Sequence, residues 1–458
     1  MHRRSVLAGA LAAFGSGAFD PALARISPVP SFAKATLDAI VANTTSAGGF
    51  VAAARGGRMI AFYDWGSASL PFQQPVTPQT LFHIASCGKQ FTALAVQQLA
   101  EAGRIKLDDR LGDHLKSLPA SWAAVRLSQL LHQTSGLPDY LEILGEWDRP
   151  QGRAKVIDRM GGEPVLFQPG ASWSYSNTNY LVLGWLIEEV SGIGYADYLD
   201  RFLFKPAGLP RARADAGGTP ILGRAEPYEF EGGAFRHAPR METGVSQAAD
   251  GGVLFSASDL APWRAAVDGG KLISAAGKIA AESRAPLTTG RFAPYGFGHF
   301  LDRVHGKEVL HHSGGAPGFV SFWITFPDSG LSVLAATNTW AKTLPPLRIM
   351  ALTLAESLAP ETTYLSLWMA SGGDSRTARL RTYLQRGDGA ADAGLFAPEL
   401  AAHGGLNLPK LDNIEDMAPV ESYSVSGGEM VRYRVLRKPY ASHLLAGWTT
   451  DERLFWLG

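Results

Sequence analysis

The chain has 458 residues, 46% of them hydrophobic, and its 42 Lys and Arg residues are balanced by 42 Asp and Glu residues. This length exceeds what one hydrophobic core usually holds, so we expect a large domain and a smaller one. The balanced charge lacks the basic surplus of nucleic-acid-binding proteins, and Cys87, the single cysteine, excludes a disulfide within the chain.

The first 24 residues have the pattern of an export signal. Residues 2–5 contain adjacent arginines, residues 6–19 form a run of small and apolar residues, and residues 22–24 form an A-x-A cleavage site. The adjacent arginines resemble a twin-arginine export signal. The apolar run is short for a bilayer span and no later stretch is apolar enough, so we expect a periplasmic or secreted protein without a stable membrane span.

The first predicted elements lead to a central helix. Residues 31–45 read as a helix, and two apolar strands on either side of Gly56-Gly57, residues 50–54 and 59–63, predict a hairpin. From Ser86 to Gly103 apolar residues recur at helical spacing and cover nearly the whole helix surface, which predicts a helix buried at the centre of a domain.

The middle of the chain, to about residue 290, is predicted to be mainly helical, and strands then return. The predicted helices are 127–131, 180–190 and 347–358, and the predicted strands are 295–300, 309–313, 319–326 and 331–337. Strands at both ends with helices between them predict an α+β fold, in which an antiparallel sheet built from both ends of the region is flanked by helices and carries an inserted, mainly helical region. The site is then expected in the cleft between the sheet and the helical part.

After residue 360 the pattern changes. A short helix at 376–385 is followed by loop-rich chain to about Pro419, an alternating strand around 431–435, and further strands at 444–445 and 454–456. We therefore divide the chain into an export signal (1–24), a main domain (25–360) and a small C-terminal α+β accessory domain (361–458).

The start of the central helix brings two reactive side chains together. Ser86 and Lys89 are three residues apart, so they share one helix face, and the helix N-terminus favours a developing alkoxide. The S-x-x-K pattern alone is weak, because Ser31 and Lys34 repeat it on an ordinary amphipathic helix. Ser86 and Lys89 are therefore a candidate nucleophile and base that need partners elsewhere.

Two further elements supply such partners. Tyr175-Ser176-Asn177 follows a Pro-Gly loop and precedes an apolar helix, and His312-Ser313-Gly314-Gly315 ends a strand. In order and context the three elements resemble the S-x-x-K, Y-x-N and K-T-G motifs of the serine β-lactamase and penicillin-binding-protein superfamily. The resemblance covers about residues 30–360. It is strongest to class C β-lactamases, D-alanyl-D-alanine carboxypeptidases, D-aminopeptidases and β-lactamase-like esterases, and it implies a β-lactamase/transpeptidase-like fold.

The resemblance implies a role for each residue. Ser86 attacks a carbonyl and forms an acyl-enzyme, and Lys89, with a pKa lowered by burial, takes the serine proton. Tyr175 relays a proton to the leaving group, and Asn177 orients Lys89 or binds the substrate amide. The backbone N–H groups of Ser86 and Gly315 form the oxyanion hole.

His312 is the main departure from the superfamily pattern, which has a lysine there. We expect it in the catalytic site, although a structural histidine at a strand end is the alternative. A histidine is only partly charged near neutral pH, which weakens the case for an efficient β-lactamase and fits the esterase or aminopeptidase branches. Ser313 retains the middle hydroxyl of the motif, and we expect it to bind substrate together with Asn177, Gly315 and Tyr140. No ligand spacing for a metal is present, so neither a metal nor another cofactor is expected.

The sequence thus predicts an exported serine hydrolase that cleaves an amide or ester bond of a small molecule or short peptide through a Ser86 acyl-enzyme. Two alternatives stay open: a covalent penicillin-binding receptor with little turnover, and a non-catalytic scaffold. Cys87, beside Ser86 on an apolar helix, is interpreted as a buried packing residue. The sequence does not distinguish ester, peptide and β-lactam substrates, and it does not give the oligomeric state.

Overall fold

The structure is a computed structural model. It describes residues 27–116, 118–144, 153–215, 220–238, 248–304, 307–360, 374–386, 395–397, 411, 414, 416–425, 428–437 and 440–457. The predicted export signal, residues 1–24, lies outside these ranges. In the described part of the chain no helix combines the length and apolar character needed to cross a bilayer.

Six helices in the described part of the chain have twelve to fifteen residues, and the others are shorter. The helices are α1 Ser31–Ala42, α2 Lys89–Glu101, α3 Leu111–His114, α4 Ala120–Ala123, α5 Leu127–Leu131, α6 Tyr140–Leu144, α7 Arg153–Met160, α8 Asn177–Ser191, α9 Tyr195–Leu199, α10 Lys205–Ala207, α11 Ala248–Gly251, α12 Ala257–Asp268, α13 Ala275–Ala281, α14 Leu347–Leu358 and α15 Ser375–Arg386.

The strands fall into one large sheet and several small ones. They are β1 Gly48–Arg55, β2 Arg58–Ser69, β3 Gln74–Pro75, β4 Phe82–His83, β5 Arg213–Ala214, β6 Tyr228–Glu231, β7 Ala234–His237, β8 Val253–Phe255, β9 Phe300–Val304, β10 Lys307–Ala316, β11 Phe319–Phe326, β12 Leu331–Thr337, β13 Thr339–Trp340, β14 Asp416–Val425, β15 Gly428–Arg437, β16 Tyr440–Thr449 and β17 Leu454–Leu457.

The large sheet joins the two ends of the main domain. Its strand order is β3-β2-β1-β12-β11-β10-β9, and its pairings are antiparallel. β1 lies beside β12 with Val51 opposite Ala335, although nearly 280 residues separate these strands in the chain. This confirms the predicted α+β fold, with a sheet built from both ends and a mainly helical region between them.

The two faces of this sheet bury two separate cores. Along β1, Phe50, Ala52 and Ala54 belong to the core shared with the helical region, whereas Val51 and Ala53 belong to the core beneath α1 and α14. Successive strand residues point to opposite faces, so the uninterrupted apolar run of β1 serves both layers. The first core contains α2, whose side chains are buried on nearly all sides as its sequence predicts.

The C-terminal region has a core of its own. Strands β14-β15-β16-β17 form a four-stranded antiparallel sheet, and Leu380 and Leu384 of α15 pack in one cluster with the buried side chains of this sheet. Val431, Tyr433 and Val435 are buried in this cluster, which agrees with the alternation in the sequence. We call described residues 374–457 the C-terminal module.

Most predicted elements are confirmed within a few residues, and two are not. The predicted strand 295–300 is wrong, because β9 begins at Phe300 and Tyr295 makes only an isolated bridge to it. Gly298, with φ +84°, turns the backbone between them. The predicted loop to Pro419 is also wrong at its end: β14 begins at Asp416 and tolerates Pro419 because it is an edge strand with a register shift at that proline.

Candidate active site

Ser86 lies in a strained turn that precedes the central helix. The turn, Ala85–Gly88, is a 3-10 segment leading into α2, and Ala85 has a φ of 47°, a conformation that non-glycine residues rarely adopt. A Cβ on Gly251 would lie 3.0 Å from the carbonyl carbon of Ala85, and one on Gly314 would lie 3.1 Å from the Ala85 side chain. Two close-packed backbone segments therefore hold the turn in its strained conformation.

Contacts with residues of the large sheet also hold the turn Ala85–Gly88 in place. Ser321 Oγ on β11 donates to the carbonyl oxygen of Ile84 at 2.7 Å, and Cys87 Sγ contacts the carbonyl oxygen of His312 on β10 at 3.2 Å. Cys87 is fully buried, and burial raises the pKa of its thiol to about 12. The structure thus agrees with the interpretation of Cys87 as a packing residue.

Lys89 connects Ser86 to the helical side of the cleft. Its buried Nζ donates to Ser86 Oγ at 3.0 Å, to Asn177 Oδ1 at 2.8 Å and to the backbone oxygen of Asp250. Burial lowers the pKa of Lys89 to about 8, while the charges of Asp250 and Asp139 act to raise it. A lysine in contact with a serine hydroxyl and with a lowered pKa can accept the serine proton.

Asn177 is the first residue of α8 and bridges Lys89 to a carboxylate. Its Oδ1 accepts from Lys89, and its Nδ2 donates to Asp139 Oδ2 at 2.8 Å. The Asn177 backbone N–H also donates to Asp139 Oδ2 at 3.2 Å, which places a negative charge at the N-terminus of α8. Both ends of the amide are therefore bonded within the protein, and this favours orientation of Lys89 over direct binding of substrate.

The aromatic ring of Tyr175 lies next to the amine of Lys89. Its ring centroid is 5.0 Å from Lys89 Nζ, and among the described residues its buried hydroxyl has no hydrogen-bond partner. Burial raises the pKa of Tyr175 well above its ordinary value, and the nearby Ser86 hydroxyl acts in the opposite direction. Tyr175 is thus a neutral phenol next to Ser86, with its hydroxyl buried outside the residues that line the cleft.

Asp250 lines the cleft, and Tyr140 lies beneath it. Tyr140 is 1% exposed, and its hydroxyl donates to Asp250 Oδ2 at 2.8 Å. Burial raises the pKa of Asp250 to about 6, against the lowering effects of Lys89 and of the Tyr140 hydrogen bond. We expected Tyr140 to contact substrate, but the structure places it under the site, where its hydroxyl supports a carboxylate.

His312 lies next to Tyr175 and is not among the residues that line the cleft at Ser86. It is 4% exposed, its Nδ1 contacts the carbonyl oxygen of Ser313, and its Nε2 lies 2.8 Å from the hydroxyl of Tyr295. Because a carbonyl oxygen only accepts, Nδ1 carries the hydrogen and Nε2 accepts from Tyr295. Burial lowers the pKa of His312 well below its ordinary value, so the ring is neutral. Its centroid is 5.7 Å from that of Tyr175.

An open cleft lies at Ser86. It is lined by His83, Ala85, Ser86, Leu141, Asn177, Asp250, Gly251, Gly252, Gly315 and Ala316. Ser313 is exposed on β10 outside this lining, and His312 lines a separate pocket instead. Trp340 is 49% exposed, and its ring would be 3.3 Å from a Cβ on Gly315, at the rim of the cleft.

Three residues of the site were not predicted from the sequence. Asp139 and Asp250 supply the charges next to Lys89, and His83 Nδ1 accepts from the backbone N–H of Ala85 at 3.2 Å. Asp139 directly follows residues 132–138, which connect α5 to it, and Asp250 precedes Gly251-Gly252 in a stretch of small residues. Those were the available signals, but in sequence both aspartates look like ordinary turn residues.

Comparison with known proteins places this geometry in a family. The profile of the family described as Beta-lactamase matches residues 33–355. Penicillin-binding protein 4* of Bacillus subtilis is 30% identical over 313 residues, which cover 63% of this chain and 68% of that protein. A D-aminopeptidase of Gluconobacter oxydans is 27% identical over 416 residues, which cover 87% of this chain and 73% of that protein. A match of this length must include residues beyond 361.

One solved structure shows the same fold. The D-amino acid amidase from Ochrobactrum anthropi SV3, complexed with D-phenylalanine, superposes with a TM-score of 0.62 at 23% identity. The match covers 72% of this chain and all of that one. At this level of identity the likeness concerns the fold.

Proposed function

The chain belongs to the β-lactamase family, within the superfamily of serine β-lactamases and penicillin-binding proteins, and is a serine hydrolase; we propose that it is an exported amidase or peptidase that acts on small D-amino-acid amides or peptides with a free amino group. The observation that carries the proposal is the 3.0 Å hydrogen bond between the buried Lys89 Nζ and Ser86 Oγ. This contact pairs a nucleophile with a base of lowered pKa.

In the proposed reaction the residues of the site act one after another. Neutral Lys89 takes the proton of Ser86 as Oγ attacks the carbonyl carbon, and the backbone N–H groups of Ser86 and Gly315 stabilise the oxyanion. The proton passes through the Tyr175 hydroxyl to the leaving amine, which departs as the acyl-enzyme forms. Water then attacks the ester carbon at Ser86 while Tyr175 and Lys89 take its proton, and this proton passes to Ser86 Oγ as the ester bond breaks and the acid is released.

The charges of the cleft support the choice of substrate. Asp250 lines it, Asp139 lies behind Asn177, and the ten lining residues include neither Lys nor Arg. The neutral His312 adds no positive charge where the superfamily motif has a lysine. An ammonium group is therefore better accommodated than a carboxylate, which agrees with the relatives named D-aminopeptidase and with the amidase that shares the fold.

A direct test compares substrates that differ in one group. D-Alanine and L-alanine p-nitroanilides, the N-acetylated D-form and a β-lactam are each incubated with the full chain and with Ser86→Ala, and turnover and whole-protein mass are recorded. We expect turnover of the free-amino D-substrate and a transient adduct on Ser86. The N-acetyl and L-forms should react at least tenfold more slowly, which corresponds to about 1.4 kcal/mol of discrimination.

Other outcomes would contradict the proposal. Turnover that survives in Ser86→Ala would remove Ser86 from the mechanism. A persistent β-lactam adduct with negligible peptide turnover would favour the covalent receptor. The similarity to penicillin-binding protein 4* supports this alternative. Equal rates for the amino and N-acetyl substrates would leave a hydrolase without the proposed ammonium preference.

Export is tested separately. Arg3→Lys/Arg4→Lys replaces the twin arginines while retaining the charge of the segment. If the segment is a twin-arginine signal, processed protein should disappear from the periplasm or medium of expressing cells. Unchanged export would indicate an ordinary secretory signal, and absence of processing in the wild type would contradict export itself.

A further inference from the structure

We propose that Asp250 is a positioning residue for Lys89: its carboxylate, oriented by Tyr140, is the counter-ion that sets how much of Lys89 is charged, and hence the pH range in which Ser86 is activated. The inference rests on the proposed function in one respect, namely that Lys89 acts as the base for Ser86.

Asp250 is held in place by both its backbone and its side chain. Its backbone oxygen accepts from Lys89 Nζ, and its Oδ2 accepts from the Tyr140 hydroxyl at 2.8 Å. The residue is 7% exposed, and the next residue, Gly251, packs on the backbone of Ala85. The carboxylate is thus fixed on the same short segment that contacts both the lysine and the turn carrying Ser86.

The charges around Lys89 single out Asp250. The polar and titratable groups that face Lys89 or interact with its charge are Ser86 and Cys87 on its own turn, Asp139 and Tyr140, Tyr175, Asn177 and Tyr180, Asp250, and His312 on β10. Of these groups, Asp139 and Asp250 carry negative charge. Asp139 accepts from the side chain and backbone of Asn177 and from the backbone N–H of Leu141, so neighbouring N–H dipoles already compensate it.

Asp250 receives less compensation from such dipoles. Its carboxylate accepts from the Tyr140 hydroxyl and is stabilised by its own backbone N–H, which is fewer donors than Asp139 has, so its charge acts more directly on Lys89. The pKa of Asp250 is raised to about 6 and that of Lys89 is lowered to about 8, in both cases chiefly by burial. Both groups therefore titrate close to the pH range in which an exported hydrolase works.

The direction of the effect follows from the charges. A negative Asp250 stabilises the ammonium form of Lys89, so losing that charge favours the neutral amine. If neutral Lys89 is the base, the acidic limb of the pH profile of kcat/KM should then move to lower pH. The carboxylate lies on the residue whose backbone oxygen accepts from Lys89 Nζ, and in a buried site an opposite charge on such a neighbour shifts a pKa by roughly one unit.

Asp250→Asn tests this while keeping the shape of the side chain and an acceptor for Tyr140. The pH profile of kcat/KM is measured for a free-amino and an N-acetylated substrate, and the titration of Lys89 is followed by NMR of ¹³Cε-labelled lysine, with Lys89→Met as the assignment standard. We expect both the limb and the Lys89 titration to move down by about one pH unit with both substrates.

Two further variants serve as a second test and as a control for Asp250→Asn. Tyr140→Phe removes the O–H dipole that partly compensates the Asp250 carboxylate, which is still ionised where Lys89 titrates, so both measurements should move by a smaller amount to higher pH. Glu142→Gln removes the charge of an exposed neighbour on α6 and should shift neither measurement. If Asp250→Asn does not fold, the comparison of Tyr140→Phe with Glu142→Gln decides.

The outcomes separate this inference from the proposed function. If neither titration moves while Ser86 is still acylated, the inference is wrong and the proposed function stands. A rise in KM confined to the free-amino substrate, without a shift of the limb, would instead make Asp250 the residue that binds the substrate ammonium. If the NMR titration moves but the wild type never acylates Ser86, the charge coupling holds and the proposed function fails.

Discussion

The two sides of the cleft differ in the charged groups that they carry. On the helical side, buried Lys89 is surrounded by two carboxylates, Asp139 and Asp250, and is in contact with Ser86 and Asn177. On the strand side, β10 presents a neutral, buried histidine whose two ring nitrogens are satisfied by Tyr295 and a backbone oxygen.

This difference indicates which side performs the proton transfer. A lysine next to carboxylates in a buried site can change its protonation near neutral pH, whereas a histidine kept neutral by burial cannot. We therefore infer that the helical side supplies the base and that the strand side supplies shape and backbone N–H groups. In the lysine-containing pattern of the superfamily the strand side also carries a positive charge, so its absence here bears on substrate choice. The following predictions test this division, from the largest expected effect to the smallest.

Lys89→Ala should have the largest effect. It removes the base that contacts Ser86, so acylation of Ser86 should fall by about 10³-fold or more, within the range expected for loss of a general base. The measurement is the rate of Ser86 adduct formation by mass spectrometry. Lys34→Ala is the matched control, since Lys34 belongs to the other S-x-x-K match but is exposed on α1 and paired with Asp38 at 2.7 Å. Substantial acylation in Lys89→Ala would place the base elsewhere.

Gly298→Ala should disturb the helical side through its backbone. The residue has φ +84°, and a Cβ there would lie 2.6 Å from the carbonyl carbon of Lys89. We expect a loss of about 2–3 kcal/mol in the free energy of unfolding, measured by denaturant titration, together with slower acylation.

Gly103→Ala is the control for Gly298→Ala. Gly103 follows the other end of α2 with φ +70°, but nothing lies within 4 Å of its Cβ position. It should show the backbone strain alone, about 1 kcal/mol, with acylation unchanged. Equal effects of the two variants would mean that the close approach of Gly298 to Lys89 is unimportant.

His312→Lys should alter substrate preference rather than abolish activity. It introduces a positive charge on the strand side, so the ratio of kcat/KM for a carboxylate-bearing substrate to that for a free-amino substrate should rise about tenfold. His312→Gln keeps the side neutral and should leave the ratio unchanged. A tenfold change in the glutamine variant would show that His312 acts through something other than its lack of charge.

The pH dependence sharpens the assignment of the base. Because neutral Lys89 accepts the serine proton, activity should rise as the pH increases through about 8, the pKa to which burial lowers this lysine. His312 has a pKa well below its ordinary value and should contribute no step between pH 6 and 9. A step in that interval that is present in the wild type and absent from His312→Gln would make the histidine a titrating member of the site.

Removal of residues 361–458 should have the smallest effect. The residues that line the cleft lie between 83 and 316, and the C-terminal module has its own sheet and core. We expect Ser86 labelling in the truncated protein to stay within about twofold of the full chain, because neither side of the cleft loses a residue. A folded but unreactive truncation would show that the module completes the site.

The sequence alone identified the fold class and the three motifs because both depend on local patterns. Apolar runs, Gly-Gly and Pro-Gly turns and the helical spacing of Ser86 and Lys89 are written in consecutive residues, and they predicted the hairpin β1–β2, the central helix and the strands β11 and β12. The chemistry of S-x-x-K also follows from spacing, since residues three apart share a helix face.

The tertiary structure decided the charges and the contacts of these residues. Asp139, in a loop, and Asp250, in α11, are separated from Lys89 by about 50 and 160 residues, and no spacing rule connects such positions. Burial, which makes His312 neutral and withdraws Tyr140 beneath the cleft, depends on packing between elements and not on the residues themselves. The sequence could therefore name the groups of the site, and only the folded chain determined which of them can exchange a proton.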